Sequence, residues 1–343
     1  MEGIDEGATS RWLAENVGLL QPVSFELIAG GRSNLTYKVT DAGGTSVVLR
    51  RPPTAHVLPT AHDMGREHRV VTALGPTAVP VPRTLGYCTD AAVTGAPFYV
   101  MEHVTGCVVR DASSAMEALD EDGRGRASRS LVDVLVGLHA VDFEAVGLGD
   151  LGPHYGYISR QLERWHGQFD HSQIEGCARV DAVDRVYERL VSNLAAGSET
   201  TIVHGDYRLD NTILTEGGEV AAVLDWEICT LGDPLADLGT LMVYWAEPGD
   251  EMTALGAAPT TAPGFWSRRQ LCDRYEAATG RDLSGIDYYT AFAYWRVACI
   301  LQGVLRRYLG GAAGGDRTGV EHFATQIGVL ATAAEEASAG LTK

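Results

Sequence analysis

Residues 204–237, HGDYRLDNTILTEGGEVAAVLDWEICTLGDPLAD, constrain this chain more than any other stretch. Asp206, Asn211, Asp225 and Asp233 are set around a strand–turn–strand pattern: residues 212–214 are β-prone, Glu216-Gly217-Gly218 signals a turn, and residues 220–224 are apolar. A hairpin brings its open ends together, with antiparallel partners about 4.5–5.5 Å apart. Asn211, just before the first strand, and Asp225, just after the second, should therefore converge. An amide oxygen beside a carboxylate makes a hard oxygen site suited to Mg²⁺, which keeps several waters and also binds substrate phosphates. Asp206, on the approach loop, can lean over the same point as a base.

Upstream of this stretch the chain reads as β-rich. Residues 24–29, 35–40 and 46–50 are strand-like, and so are 83–88 and 97–104. Gly30-Gly31-Arg32-Ser33-Asn34 joins the first two strands, either as a plain hairpin turn or as a tip whose N–H groups lie over phosphate. Helices are expected over 9–19 and 63–74; in the latter Val70, Val71 and Leu74 form an apolar face and Glu67 is included. Beyond Thr105-Gly106 the pattern turns helical, over 127–141, 157–169, 182–195, 235–245, 266–279, 288–309 and 320–339. The expected fold class is α+β and bilobal, a small five-stranded antiparallel β lobe (1–104) followed by a larger, mostly helical lobe (105–343). Asp233 should cap the helix that starts at Pro234.

The formal net charge of −18 argues against nucleic acid or an anionic membrane as a partner, since both need basic surfaces. Apart from Lys38 and Lys343, every basic side chain other than histidine is arginine. Six cysteines without a CxxC pair give no readable zinc site or disulfide framework, and buried thiols in a reducing cytosol are the default. The acidic N-terminus does not read as a signal peptide, and no apolar run is long enough to span a membrane, so a cytoplasmic location is expected.

A five-stranded lobe, a short hinge and a helical lobe carrying HxDxxxxN and a following Asp resemble the protein-kinase-like fold. The wording His204-Gly205-Asp206 with Asn211, then Asp225-Trp226-Glu227, then Asp233-Pro234 with Asp237, resembles the aminoglycoside phosphotransferase (APH) family, over about residues 23–310. GGRSNLTYKV, VVLRRPP, REHRVVTAL, APFYVMEHVTG and ILQGVLRRYLGG are similar to the branch of that family fused to, or encoded near, acyl-CoA dehydrogenases.

The resemblance implies ATP and Mg²⁺ as cofactors, Asp206 as catalytic base and Asn211 and Asp225 as metal ligands. It implies adenine on the backbone of Glu102 and Val104 with Met101 lining the pocket, and the loop of Gly31, Arg32, Ser33 and Asn34 over the phosphates. Arg50 stands where kinases carry a phosphate-binding lysine; a guanidinium can fork onto phosphate and carboxylate and can pair with Glu67. Arg51 points to the opposite strand face and is expected in solvent. His204 and Asp237 should brace the loop.

For the acceptor, Arg296, Gly303 and Arg307 share one helix face, and with Arg160 they suggest an Arg-lined pocket for an anion such as the CoA phosphates; salt bridges to the many acids are the alternative. The expected activity is ATP- and Mg²⁺-dependent O-phosphorylation of a small molecule. A hydroxyacyl-CoA is the first choice of acceptor and an aminoglycoside the second, and a nucleotide-binding pseudokinase acting as an interaction module is the alternative class. The expected partners are ATP and the acceptor, with oligomeric state open.

Overall fold

The computed structural model describes residues 1–28, 34–54, 63–174, 178–194, 199–250, 258–309 and 320–341. Gly31, Arg32 and Ser33 of the glycine-rich connection lie outside the described residues.

Strands β1 (Ser24–Leu27), β2 (Leu35–Thr40), β3 (Ser46–Arg51), β4 (Thr84–Cys88) and β5 (Phe98–Glu102) form one antiparallel sheet in the order β1-β2-β3-β5-β4. Strand alternation divides its residues between two faces. Tyr37, Val39, Val47, Leu49, Phe98 and Val100 pack with Leu13 of α1 (Glu6–Asn16). Val48, Tyr99 and Met101 face the other way, onto Met64 of α2 (Met64–Leu74). Arg50 shares this second face, since β3 residues alternate and Arg50 pairs in register with Tyr99. Arg51 corrects the expectation of a solvated side chain. It is 4% exposed, because the N-terminal residues and the short helix α3 (Ala91–Thr94) cover that face. Its guanidinium donates to the Gly3 carbonyl and, at 2.7 Å, to Thr94 O.

The rest of the described chain is mainly helical: α4 (Ala112–Ala118), α5 (Glu121–His139), α6 (Tyr157–His171), α7 (Asp181–Ser192), α8 (Pro234–Tyr244), α9 (Arg268–Thr279), α10 (Ile286–Arg307) and α11 (Val320–Ala337). Strands β6 (Thr201–Val203), β7 (Thr212–Leu214), β8 (Val220–Val223) and β9 (Thr230–Gly232) make two small antiparallel pairs, β7–β8 and β6–β9. The expected hairpin is the first pair; the second had no signal in the sequence. One core joins α2, α5, α8 and α9 to the hairpin, and another gathers α6, α7 and α11 around α10. Cys88, Cys107, Cys229, Cys272 and Cys299 are free thiols, and Cys177 lies outside the described residues. No helix among the described residues is long and apolar enough to cross a membrane.

Candidate functional site

The hairpin register pairs Thr212 with Val223, and Leu224 N donates to Asn211 O at 2.8 Å, so Asn211 and Asp225 emerge side by side. Asp225 has φ 66°, the one positive φ at a non-glycine among the described residues. Such a conformation is sterically costly and persists where the surroundings enforce it. Here Trp226 is buried with its indole N–H on Val223 O at 3.0 Å, and His204 Nε2 donates to Leu224 O at 2.9 Å.

The approach loop is clamped from below. Asp233 caps α8, with Pro234 in the first turn, and Asp237 in that turn accepts the N–H groups of His204 (2.7 Å) and Gly205 (2.8 Å) on its two oxygens. Buried His139 lies 3.5 Å from the same carboxylate and 2.8 Å from the Tyr275 hydroxyl. Gly205 has φ 87°, and a β-carbon there would meet Ile228 at 3.0 Å. With the backbone fixed this way, the Asp206 carboxylate faces the cleft. Its Oδ2 accepts from Asn211 Nδ2 at 2.9 Å and from Arg208 Nε at 3.1 Å. Arg208 also pairs with Asp210 at 2.9 Å and lies over the Tyr244 ring at 4.7 Å.

From the small lobe Arg50 reaches down between two carboxylates. Its Nε is 3.1 Å from Glu67 and its Nη2 bonds Asp225 Oδ1. Glu67 is 1% exposed. Arg66, the neighbour of Glu67 on α2, donates to Leu151 O (2.7 Å) and Cys229 O (2.8 Å), which ties this helix to the helical lobe. Burial works against the charge on Arg50, but Glu67 and Asp225 more than offset it and its pKa is raised. Burial likewise pushes the Glu67 carboxyl up, with Arg50 pulling it back. Glu227, which accepts a hydrogen bond from Asn34 at 3.2 Å, is pushed up to about 7 by burial and by the neighbouring Asp225.

These groups line one cavity of about 1010 Å³ between the lobes. Asp206, Asn211, Asp225, Asn34, Arg50, Glu67, Met101, Glu102 and Val104 all border it. The Glu102 N–H already donates to Arg83 O at 2.8 Å, so the backbone donor of this residue is committed. The donor set suits a hard cation. Asn211 spends its amide N–H₂ on Asp206, which turns its carbonyl oxygen outward, and Asp225 has one oxygen beyond the one Arg50 takes.

The Arg-lined acceptor pocket is not what the structure brings together. Arg296 is 4% exposed and lies under the loop, donating to Gly205 O at 2.6 Å and Thr240 Oγ1 at 3.0 Å. Arg160 donates to Pro153 O at 3.2 Å and Arg307 is exposed; neither borders the cavity. A helix face read from spacing does not say which side of that face meets protein. Instead the cavity ends on Leu301, Tyr308, His322, Phe323 and Gln326. Sequence reasoning missed this end, and also Arg208, Tyr99 and Glu227. Arg208 carried a signal, a cation placed between Asp206 and Asp210 in the loop.

The family model of the phosphotransferase enzyme family, APH, matches residues 24–271. Acyl-CoA dehydrogenase family member 10 of Mus musculus is 35% identical over 90% of the chain, and family member 11 of Gallus gallus is 33% identical over 98%. The chain spans only 29% and 44% of the lengths of those two proteins. The crystal structure of a candidate aminoglycoside phosphotransferase from Ralstonia eutropha JMP134 superposes with a TM-score of 0.82 at 32% identity, covering 99% of both chains. A thermostable mutant of aminoglycoside phosphotransferase APH(4)-Ia, in ternary complex with AMP-PNP and hygromycin B, shares the fold at a TM-score of 0.62 and 16% identity, over 97% of this chain and 99% of that one.

Proposed function

The chain belongs to the APH phosphotransferase family, and from that premise we propose that it moves the γ-phosphate of ATP to the hydroxyl of a hydroxyacyl-CoA. The family makes it a kinase-like phosphotransferase acting on hydroxyl groups. The nucleotide, the metal and the acceptor are the proposal, and one observation carries it: Asp206 stands beside the Asn211–Asp225 pair with one carboxylate oxygen held by two donors. That grip leaves Oδ1 to take the proton of the acceptor hydroxyl as the oxygen–phosphorus bond forms and the bond to the β-phosphate oxygen breaks.

Asn211 and Asp225 would hold Mg²⁺, which when bound neutralises phosphate charge. Arg50, kept charged and in place by Glu67, would contact the phosphates, and Gly31, Arg32, Ser33 and Asn34 are the residues proposed to cover them. Adenine would lie at the hinge, between Met101 and Val104, where the lobe boundary at 104/105 falls. Six cysteines without a CxxC pair fit a reducing compartment, the cytosol.

The similarity to acyl-CoA dehydrogenase family members supports the acyl-CoA acceptor. An aminoglycoside is the second reading, favoured by the Ralstonia eutropha structure and by the net charge of −18. ATP consumption measured on a panel of hydroxyacyl-CoAs and aminoglycosides, with Asp206→Asn as control, separates the two. Turnover confined to aminoglycosides overturns the acyl-CoA reading, and near wild-type turnover in Asp206→Asn overturns the assigned base. Mg²⁺·ATP binding without turnover of either panel would instead favour the pseudokinase alternative.

A further inference from the structure

One part of the cavity wall comes from the last two helices of the chain. Leu301 and Tyr308 reach it from the C-terminal end of α10, and Phe323 from the first turn of α11. The Tyr308 and Phe323 rings are 5.2 Å apart and inclined at 54°, within the range of packed aromatic pairs. Phe323 is 9% exposed and belongs to the core around α10, against which Leu301 and Tyr308 also pack. His322 and Gln326, also at this wall, are hydrogen-bonded to each other at 2.9 Å.

The side chains named here, Leu301, Tyr308, His322, Phe323 and Gln326, include no carboxylate. Asp206 and Asp210, which line the same cavity, are both engaged by Arg208. Against these five side chains a polycation would lose water without gaining an ion pair, which is unfavourable. An alkyl chain would exchange water for apolar side chains already supported from behind, which is favourable.

We propose that this wall receives the apolar chain of the acceptor and sets the chain length that is accepted. The inference rests on the acyl acceptor named above and adds the element that selects among acyl groups. Each methylene laid against the wall should tighten binding by up to roughly threefold to fourfold, the value for full burial of one methylene.

The test uses saturated acyl-CoAs of increasing chain length, which lack the hydroxyl and cannot be phosphorylated. They are titrated calorimetrically into the protein with AMP-PNP and Mg²⁺, while the matching hydroxyacyl-CoAs are assayed for turnover. The expected result is a Kd that falls stepwise with chain length and then levels off. Phe323→Ala should flatten the series. Because Phe323 also serves the core, Leu301→Phe is the second variant; it fills the wall and should weaken long chains by tenfold or more while leaving short chains within twofold. ATP KM should stay within twofold in both. A wild-type Kd independent of chain length overturns the wall, as does a variant that shifts short chains, long chains and ATP alike. Chain-length-dependent binding with no turnover leaves the wall standing and overturns the acceptor reading instead.

Discussion

Arg208 Nε lies 3.1 Å from Asp206 Oδ2, on the carboxylate oxygen that also accepts from Asn211 Nδ2 at 2.9 Å. The guanidinium is itself fixed by Asp210 and by the Tyr244 ring. Burial opposes its charge, but Asp206, Tyr244 and Asp210 outweigh that effect and raise its pKa. The carboxylate is thus set in one orientation, and if Asp206 is the base proposed above, preorganisation of this kind would lower the barrier instead of merely improving binding.

Arg208→Met should therefore reduce kcat more than it disturbs nucleotide affinity. A hydrogen bond to a charged group is worth about 1.5–3 kcal/mol, or roughly 10- to 150-fold in rate. Arg208→Lys should restore part of the loss, since it returns the charge without the planar fork. Steady-state kinetics decide the matter: a rise in ATP KM with kcat unchanged would remove Arg208 from the reacting centre.

The Arg50 cluster predicts an asymmetry between two substitutions. Glu67→Gln leaves Arg50 with Asp225 as partner, whereas Arg50→Met leaves Glu67 and Asp225 as neighbouring carboxylates without their shared cation. Breaking a buried pair costs about 3–5 kcal/mol when a charge is stranded, so Arg50→Met should lower Tm more than Glu67→Gln. Added Mg²⁺ should recover more stability in Arg50→Met than in wild type, because a cation on Asp225 replaces part of what the guanidinium supplied. Thermal melts with and without Mg²⁺ test both statements, and equal Tm losses in the two variants would contradict the first.

Residues 204–237 were the most legible part of the chain because there the chemistry and the local geometry coincide. The hairpin that brings Asn211 to Asp225 follows from a turn signal between two short β runs, and the Asp233 cap from a helix-start pattern. The Arg50–Glu67 pair was accessible from strand and helix phase together. What was not legible depends on contacts remote in sequence. Arg51 is buried because the N-terminus and α3 close over it, and β6 pairs with β9 across the intervening residues 204–229. Arg296 turns inward because α8 and the loop at Gly205 supply two acceptors, which no helix-face argument reveals.

Glu227 should make the ligand-free protein less stable as pH rises. Its carboxyl, pushed up from 4.5 to about 7 by burial and Asp225, retains its proton in the folded state when the unfolded chain has lost it. The folded state then binds more protons between those two values, so the contribution of Glu227 is full below about 4.5 and is lost as pH rises through about 7. Relative to Glu227→Gln, wild type should lose Tm across that window and run parallel to it above. Melts of both proteins over the range, without nucleotide or metal, measure this, and a constant Tm difference would exclude Glu227 as the titrating group.

Arg296 offers the sharpest separation between what its helix position suggested and where its side chain lies. A guanidinium that contacted the acceptor would, on removal, raise acceptor KM and leave folding untouched. A guanidinium 4% exposed, donating to Gly205 O one residue before Asp206, does something else. Arg296→Met leaves that carbonyl without its donor beneath the loop, at a cost of about 1–3 kcal/mol for the buried group. The loop would relax to recover the bond, and Asp206 would move with it. Tm should therefore fall by several degrees, and kcat should fall with it as the carboxylate loses its setting, while acceptor KM changes less than about twofold because no Arg296 atom borders the cavity. Arg307→Ala, at an exposed position outside the cavity, should change none of the three. Melts and steady-state kinetics on both variants give the answer: a tenfold rise in acceptor KM at unchanged Tm and kcat would return Arg296 to the acceptor site.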